Sequence, residues 1–249
     1  RFFDFVDPNR HTQQLGVNYE LPINKFPAFS FVSSNYSYAG DFQWNKGSDL
    51  FGDISIDGQN YDLGNSISNA SQHNLNTSLD MRKLYRYLGV KRPRRSRRPS
   101  RDFNDKTKTK KFNLKEFGIG VLTAIDRAQF NYSEINSSFL PGYLPRPGFL
   151  GTLRPTAGYT FGSKIDIRRI AAEKGWLTTF AQFNQQYTET HNQNIDYAVN
   201  MEPITDLKID LNGGKTFATN YAESFNTTDS SGDGLSNVYN SLIQNTFGN

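Results

Sequence analysis

The feature that most constrains this chain is a long alternation of apolar and polar residues between Gln193 and Phe217. The alternation is interrupted at residues 202–205 and then resumes, which indicates a single turn. A period of two over this length predicts a β-hairpin with one apolar and one polar face. Soluble strands usually end after about 5 or 6 residues, whereas a membrane-crossing strand needs about 9 to 11. The sequence therefore predicts strands from the wall of an outer-membrane β-barrel.

The hairpin assigns each of its residues to one of two faces. The apolar set, which we expect to face the membrane, comprises Ile195, Tyr197, Val199, Leu207, Ile209 and Leu211. The polar set, which we expect to face the lumen, comprises Asn194, Asp196, Asn200, Lys208, Asp210 and Asn212. Val199 can share a face with Leu207 or Ile209 only if the sequence numbers of two residues that pair across the hairpin add up to an even number. The loop is therefore predicted to contain three or five residues, with Pro203 inside it.

The same pattern predicts an all-β fold with about six long antiparallel strands, so that residues 1–249 form part of a barrel wall. The first strand repeats the alternation and places Leu15, Val17, Tyr19 and Leu21 on the membrane face. In the second strand the apolar parity changes between Phe31 and Tyr36, which predicts a β-bulge. The six strands are predicted near residues 12–23, 29–44, 63–79, 117–139, 178–201 and 206–225.

The connections between these strands alternate in length. Short turns follow strands one and five, whereas long connections follow strands two and four. Outer-membrane barrels have short periplasmic turns and longer extracellular loops, so we expect residues 140–177 to form an extracellular loop. Helical spacing from Lys164 to Trp176, with Gly175 as a C-cap, predicts a short helix in this loop. Such a helix would cover part of the pore mouth or dock a partner.

A basic insert at residues 82–112 interrupts the series of short turns on the periplasmic side. It contains a run of arginine, lysine and proline from Lys91 to Arg101. Nucleic-acid-binding proteins also contain such runs, but this one has no interleaved aromatic residues. Its charge density and its prolines predict a disordered, solvated periplasmic tether instead.

Composition is compatible with a barrel wall but does not decide the class. The mean hydropathy is −0.66, while aromatic residues make up 14% of the chain. Few aliphatic and many aromatic residues suit an apolar band that is one residue thick, yet a loop-rich soluble β-protein would have a similar average. Cysteine is absent, so disulfides do not contribute. The first residues do not match a signal peptide, and we expect the chain to be a piece of a longer polypeptide.

The sequence contains no pattern that predicts catalysis, and we expect a protein that is not an enzyme and binds no cofactor or metal. The three histidines are His11, His73 and His191. Each lacks a second ligand at metal-binding spacing. Glu189 and His191 are predicted to share a face as polar lining. Residues 229–234 resemble a calcium loop only faintly, because an EF-hand loop needs Glu at its twelfth position and Asn240 stands there.

Several segments together carry a family resemblance. They are Tyr19–Pro27 with the aromatic strand up to Trp44, Gly64–Asn69, the basic insert, Arg168–Trp176 and Glu202–Ile209. With these segments the chain resembles, over about its whole length, a part of the SprA/Sov family. Members of that family are giant outer-membrane barrels that form the translocon of the type 9 secretion system in Bacteroidetes.

The resemblance implies that the chain helps to pass folded cargo proteins across the outer membrane to the cell surface, in secretion associated with gliding motility. The implied partners are the remainder of the same barrel wall, a PorV-type outer-membrane shuttle protein, a plug protein, secreted cargo proteins and membrane lipid, with no nucleic acid. Two alternatives remain open. An ordinary outer-membrane porin or receptor would close its sheet within one modest chain. A soluble all-β adhesin or binding module would pack its apolar strand faces against each other.

Overall fold

The computed structural model of the chain describes residues 8–48, 54–56, 58–90, 118, 123–148, 151–204, 207–230 and 237–248. Nine strands form in these residues, all paired antiparallel. They are β1 (Arg10–Leu21), β2 (Val32–Asn45), β3 (Ile54–Ile56), β4 (Gln59–Tyr61), β5 (Asn65–Asp80), β6 (Ile125–Tyr143), β7 (Gln186–Ile204), β8 (Leu207–Asp229) and β9 (Asn237–Gly248). The prediction of an all-β fold is therefore confirmed.

Seven of the strands form one meandering sheet in the order β1-β2-β5-β6-β7-β8-β9, and β3 pairs with β4 in a small separate hairpin. The sheet thus has one more long strand than the six that the sequence predicts. The additional strand is β9, whose alternation is broken because the adjacent Leu242 and Ile243 lie where its register against β8 shifts. A shift of this kind changes the parity of apolar residues, which hides a strand from a search for period two.

The second strand begins later than predicted. Two short 3-10 helices, Pro22–Lys25 and Pro27–Phe29, connect β1 to β2, and each begins at a proline, as the fixed φ of proline favours. Phe29 and Phe31 therefore precede the strand. From Val32 to Asn45, β2 pairs without a register shift with both of its neighbours. The predicted bulge between Phe31 and Tyr36 is wrong, because the change of parity marks the start of the strand.

The turn between β7 and β8 confirms one prediction and corrects another. Val199 pairs with Leu211, so the paired numbers have an even sum, as predicted. However, β7 ends at Ile204 and β8 begins at Leu207, so only two residues separate the strands. The odd residue lies instead in a bulge between Met201 and Ile204, which contains Pro203. Proline is tolerated at bulges because its missing N–H removes no ladder hydrogen bond there.

The connection from β5 to β6 begins with a helix, α1 (Met81–Tyr87), whose first turn is capped by the Asp80 carboxylate, which accepts from the backbone N–H of Arg82 at 3.2 Å. Arg82 also forms an ion pair with Asp126 at 3.1 Å. The first part of the insert predicted to be disordered, residues 82–90, is therefore helix and turn. The arginine-rich run and the rest of the insert lie outside the described residues.

The described residues of the connection from β6 to β7, 144–148 and 151–185, pack against the sheet, and we call them the covering segment. It contains α2 (Ala157–Thr160) and α3 (Arg168–Glu173). The predicted helix is confirmed, and Gly175 ends it with a φ of +64°. Since residues 178–185 belong to this segment, the fifth strand begins at Gln186 rather than near 178. The buried apolar core lies between the segment and the sheet and comprises Phe42, Trp44, Ile67, Leu140, Tyr143, Tyr159, Ile167, Ala171, Ala172, Leu177, Tyr187 and Phe225.

Candidate functional site: the two faces of the sheet

The register of the strands divides the sheet into two chemically different faces. Residues that pair directly across strands point to the same side, so each cross-strand row belongs to one face. One such row runs through Val17, Tyr38, His73, Glu134 and Gln193. We call the side that bears this row the band face and the opposite side the polar face.

The band face carries all ten of the residues predicted to face the membrane. Leu15, Val17, Tyr19 and Leu21 lie on it in β1, Ile195, Tyr197 and Val199 in β7, and Leu207, Ile209 and Leu211 in β8. The polar face carries the six residues predicted to face the lumen, which are Asn194, Asp196, Asn200, Lys208, Asp210 and Asn212. The register thus brings each set together on one side. That the band face meets lipid stays a prediction.

Near the short turns, the apolar side chains of the band face are exposed. Val17 is 44% exposed, Tyr197 45% and Leu211 49%. Between them on the same face lie Leu75, Phe130 and further apolar residues of β5 to β7, so the exposed residues form a continuous apolar band. Contiguous apolar surface of this extent is rare on soluble monomers and marks a surface that contacts a membrane or another protein.

The edge of the apolar band that faces the long connections is not straight. Leu15 begins it on β1, and the row of Leu15 reaches β7 at His191. On β7 the band begins only at Ile195, ~13 Å further along the strand at a rise of ~3.3 Å per residue. Between β1 and β5 the edge moves by two rows of this face, and from β5 to β7 it follows a single row, because Leu75 pairs with Tyr132 and Tyr132 pairs with Ile195.

The polar face is lined by asparagine, serine, threonine and glutamine, which hydrogen-bond to one another across strands. Asn200 donates to the Asp210 carboxylate at 2.7 Å, and Thr216 donates to the Asn194 side chain at 2.8 Å. The exceptions on this face are Ile135, which is 39% exposed, and on β9 Val238, Ile243 and Phe247, which are 46%, 60% and 63% exposed. A shallow depression of about 510 Å³ lies mainly among the polar side chains of this face. Away from β9, such a surface is wet and offers few contacts that would hold an apolar partner.

Towards the long connections, the covering segment lies over the band face and is held there by side chains of the sheet. Trp44 donates its indole N–H to the Pro145 carbonyl at 3.1 Å. Asn69 donates to the Tyr159 carbonyl at 2.6 Å, and Asn69 is itself buried. The approach is closest at Gly40, where a Cβ atom would lie 2.1 Å from the Phe161 carbonyl oxygen. The segment therefore covers the face of the sheet. A cover over the pore mouth would instead lie across the ends of the strands.

Arg168 of α3 is the main polar attachment of the covering segment to the last strands. Its guanidinium forms an ion pair with Glu223 of β8, which is 1% exposed. It also forms two hydrogen bonds with the Asp166 carboxylate, each at 2.9 Å. The guanidinium carbon lies 4.5 Å from the centre of the Tyr187 ring, within cation–π range. The Tyr221 hydroxyl donates to Glu223 at 2.9 Å. Glu223 is therefore buried with its charge paired and hydrogen-bonded.

The contact between Asp166 and Arg168 favours the charged form of each of these two side chains. Burial opposes ionisation of Asp166, but the hydrogen bonds and positive charge of Arg168 outweigh it, so the pKa of Asp166 lies below its ordinary value. Burial likewise opposes the charge of Arg168, but its carboxylate partners raise the pKa of the guanidinium. The arginine is therefore charged at every pH at which the protein folds.

The histidines take part in side-chain networks of the band face. His73 Nδ1 lies 2.8 Å from the Tyr36 hydroxyl, and His191 Nδ1 lies 2.6 Å from the Asn136 amide oxygen. Glu189 and His191 share the band face by register, and not the polar face that their predicted role as lining would suggest. His11 interacts with Gln13 at 3.1 Å. Within the described residues, no three histidine or carboxylate side chains form a group that would hold a metal ion.

Sequence reasoning missed the pairing of Arg168 with Glu223, although one signal was present. Glu223 falls at the apolar parity of β8, between Tyr221 and Phe225. A carboxylate in an aromatic stripe indicates a buried cationic partner, because an unpaired buried charge is costly. The sequence does not say which arginine supplies that partner.

Comparison with known proteins gives no match to a protein-family model or to a curated protein. Within the described residues, no helix has the length and apolar character that a membrane crossing requires.

Proposed function

We propose that this chain is a strip of the wall of a giant outer-membrane barrel of the SprA/Sov type, the protein-conducting channel of type 9 secretion. The observation that carries the proposal is the exposed apolar band on one face of a sheet whose other face is mainly polar, because the wall of a membrane barrel presents an apolar face to lipid and a polar face to its lumen. The strands are also long enough to span a bilayer, and the resemblance of the sequence to this family points the same way.

In this proposal the band face contacts lipid and the polar face lines the lumen. Passage of folded cargo through a channel requires no bond to be made or broken, so the chain acts as a surface and not as an enzyme. The side chains of the polar face bind one another, as Asn200 binds Asp210. Cargo therefore meets a hydrated surface whose polar groups are already paired, and varied proteins slide past it without strong binding.

The two edge strands require further wall on both sides. β1 and β9 each pair with one neighbour only within the described sheet. Unpaired backbone N–H and C=O groups are not tolerated in lipid, so each edge must meet another strand of the barrel. The shuttle, plug and cargo proteins implied by the resemblance are further proposed partners.

The proposal is tested by the size and location of the native polypeptide. An antibody raised against residues 91–111 is used to probe fractions of the source cell. We expect a band far heavier than 28.3 kDa, the mass of this chain, in the outer membrane and extractable only with detergent.

Two other results would contradict this proposal. An outer-membrane band of modest mass would indicate an ordinary porin or receptor barrel. A species near 28 kDa that is extracted without detergent would indicate a soluble β-protein, and neither a barrel nor a secretion role would then hold.

A further inference from the structure

A cleft opens on the band face where the exposed apolar band meets the covering segment. Its volume is about 630 Å³. The sheet supplies its floor, and residues 161–164 of the covering segment form its upper side. The sheet residues that line it are Leu15, Tyr36, Tyr38, Ser71, His73, Glu134 and Asn136. The cleft therefore has an apolar side towards the band and a polar side beneath the covering segment.

The polar side offers a cation, Lys164, and a neutral donor, the His73 ring. Lys164 is exposed at the rim of the cleft. Tyr36 lies 2.8 Å from His73 Nδ1, and when this hydroxyl donates, the ring carries its proton on Nε2 as a donor. Tyr38 is fixed by its hydrogen bond to the Phe161 carbonyl at 2.6 Å, which ties the floor to the upper side. These groups suit a phosphate, which accepts hydrogen bonds and carries negative charge.

The one carboxylate of the cleft is already engaged. Glu134 accepts hydrogen bonds from the Tyr132 hydroxyl at 2.7 Å and from the Asn136 amide at 3.1 Å. These donors offset part of its charge, so that it repels a nearby phosphate less. Glu134 also provides an acceptor for an ammonium or hydroxyl group attached to that phosphate. The cleft thus matches a headgroup that combines a phosphate with further polar groups.

We propose that this cleft binds the phosphate-bearing headgroup of a membrane lipid, whose acyl chains lie along the apolar band below it. This inference rests on the proposed membrane location of the band face. The cleft lies on the side of the long connections, so in an outer-membrane barrel it meets the outer leaflet. Tyrosine and lysine side chains at the edge of an apolar band are typical of the membrane interface, which is where headgroups lie.

The test uses the full native polypeptide, extracted from the outer membrane in mild detergent and transferred to nanodiscs. One set of nanodiscs contains lipid A and the other contains phosphatidylethanolamine, and retained lipid is counted by native mass spectrometry. We expect Lys164→Gln to lower the retention of the bound lipid about fivefold, because a charge-assisted contact to phosphate is lost. Lys208→Gln removes the same charge from the polar face and is expected to leave retention unchanged.

The two sets of nanodiscs identify the source of the phosphate. Retention that depends on Lys164 for either lipid supports the site, and the lipid that shows the dependence is its ligand. Equal retention in the wild type and in Lys164→Gln, for both lipids, overturns the inference. The location of each variant in the cell is measured first. Absence of the wild-type protein from the outer membrane contradicts the proposed function itself, whereas correct location with lipid retention independent of Lys164 contradicts only the lipid site.

Discussion

Arg168 shows how one side chain can hold a long connection in place. Substitution by Met keeps much of its length but leaves the buried Glu223 without its cation. Removing one partner of a buried ion pair costs about 3 kcal/mol or more, because the remaining charge stays desolvated. We therefore expect Arg168→Met to loosen the covering segment and to raise its rate of cleavage in limited proteolysis of the membrane-assembled protein. Arg169→Met, at the exposed neighbouring position, is the control and should leave the rate unchanged.

The same contact predicts an effect of acid. The pKa of Asp166 lies below its ordinary value of 3.8 in the folded protein. A carboxylate with a lowered pKa stabilises the fold above its ordinary pKa, and this contribution is lost as the pH falls through the lowered value. We expect the attachment of the covering segment to weaken as the pH falls below 3.8 and through the lowered pKa of Asp166. Trp44 lies in the core between the covering segment and the sheet, and Trp176 packs against that core, so their fluorescence reports a loosening of the segment. In Asp166→Asn this particular acid dependence should be absent.

Adjacent residues on β7 test the assignment of the faces. Arg in place of Val199 would introduce a charge on the band face, at a cost of about 2 to 4 kcal/mol if that face lies in lipid. Asn200→Arg introduces the same charge on the polar face, next to Asp210. We expect Val199→Arg to lower the amount of protein assembled in the outer membrane and Asn200→Arg to leave it near the wild-type level. Equal assembly of both variants would mean that the facing assignment is wrong.

At the scale of the element, the β7–β8 hairpin keeps its faces matched through the bulge that contains Pro203. Deletion of Pro203 would leave Met201 paired with Ile209 and turn the hairpin into a regular one with two residues between the strands. Deletion of Asp210 also shortens the hairpin by one residue, but it would move Leu207 and Ile209 to the polar face. We expect outer-membrane assembly to survive the first deletion and to fail with the second, as measured by fractionation. Failed assembly after deletion of Pro203, together with normal assembly after deletion of Asp210, would contradict the observed register.

The alternation of apolar and polar residues predicted the strands well wherever the pairing of the sheet is regular. It located β1, β5 and β8 to within a few residues and identified which residues share a face, because the period of two follows directly from strand geometry. It failed where the backbone departs from regular pairing. At Phe29 and Phe31 the aromatic residues belong to a turn, and at Leu242 and Ile243 a register shift disguises a strand. For the apolar residues of β7 and β8 to share a face, the hairpin needs one extra residue. A bulge in one strand and a longer loop both supply it, so the sequence does not distinguish them.

At the scale of the whole molecule, the open edges set a condition on folding. β1 and β9 expose backbone groups at the two sides of the sheet, and the band face exposes large apolar side chains. Both features promote association in water. We expect this chain, produced by itself in aqueous buffer, to form polydisperse assemblies by light scattering. A stable monodisperse monomer would contradict the interpretation of the sheet as an open strip of wall.

The covered half of the band face could not be predicted from sequence. Alternation assigns a residue to a side of the sheet, but it does not tell whether lipid, water or another part of the chain lies against that side. Residues 140–177 were predicted to form an extracellular loop because short turns and long connections alternate along the chain. Their contact with Trp44, Asn69 and Glu223 depends on residues far apart in sequence.

The covering segment bears on the height of the structure. β8 contains 23 residues, which gives a length of ~75 Å, or ~58 Å along the barrel axis at a tilt of ~40°. The hydrocarbon part of a bilayer is only ~30 Å thick, so a wall of such strands projects well beyond it. In the proposed barrel, the covering segment would lie against the apolar positions that lipid does not reach. The chain would then shield its own apolar positions beyond the bilayer, and the height of the wall outside the membrane would not depend on membrane thickness.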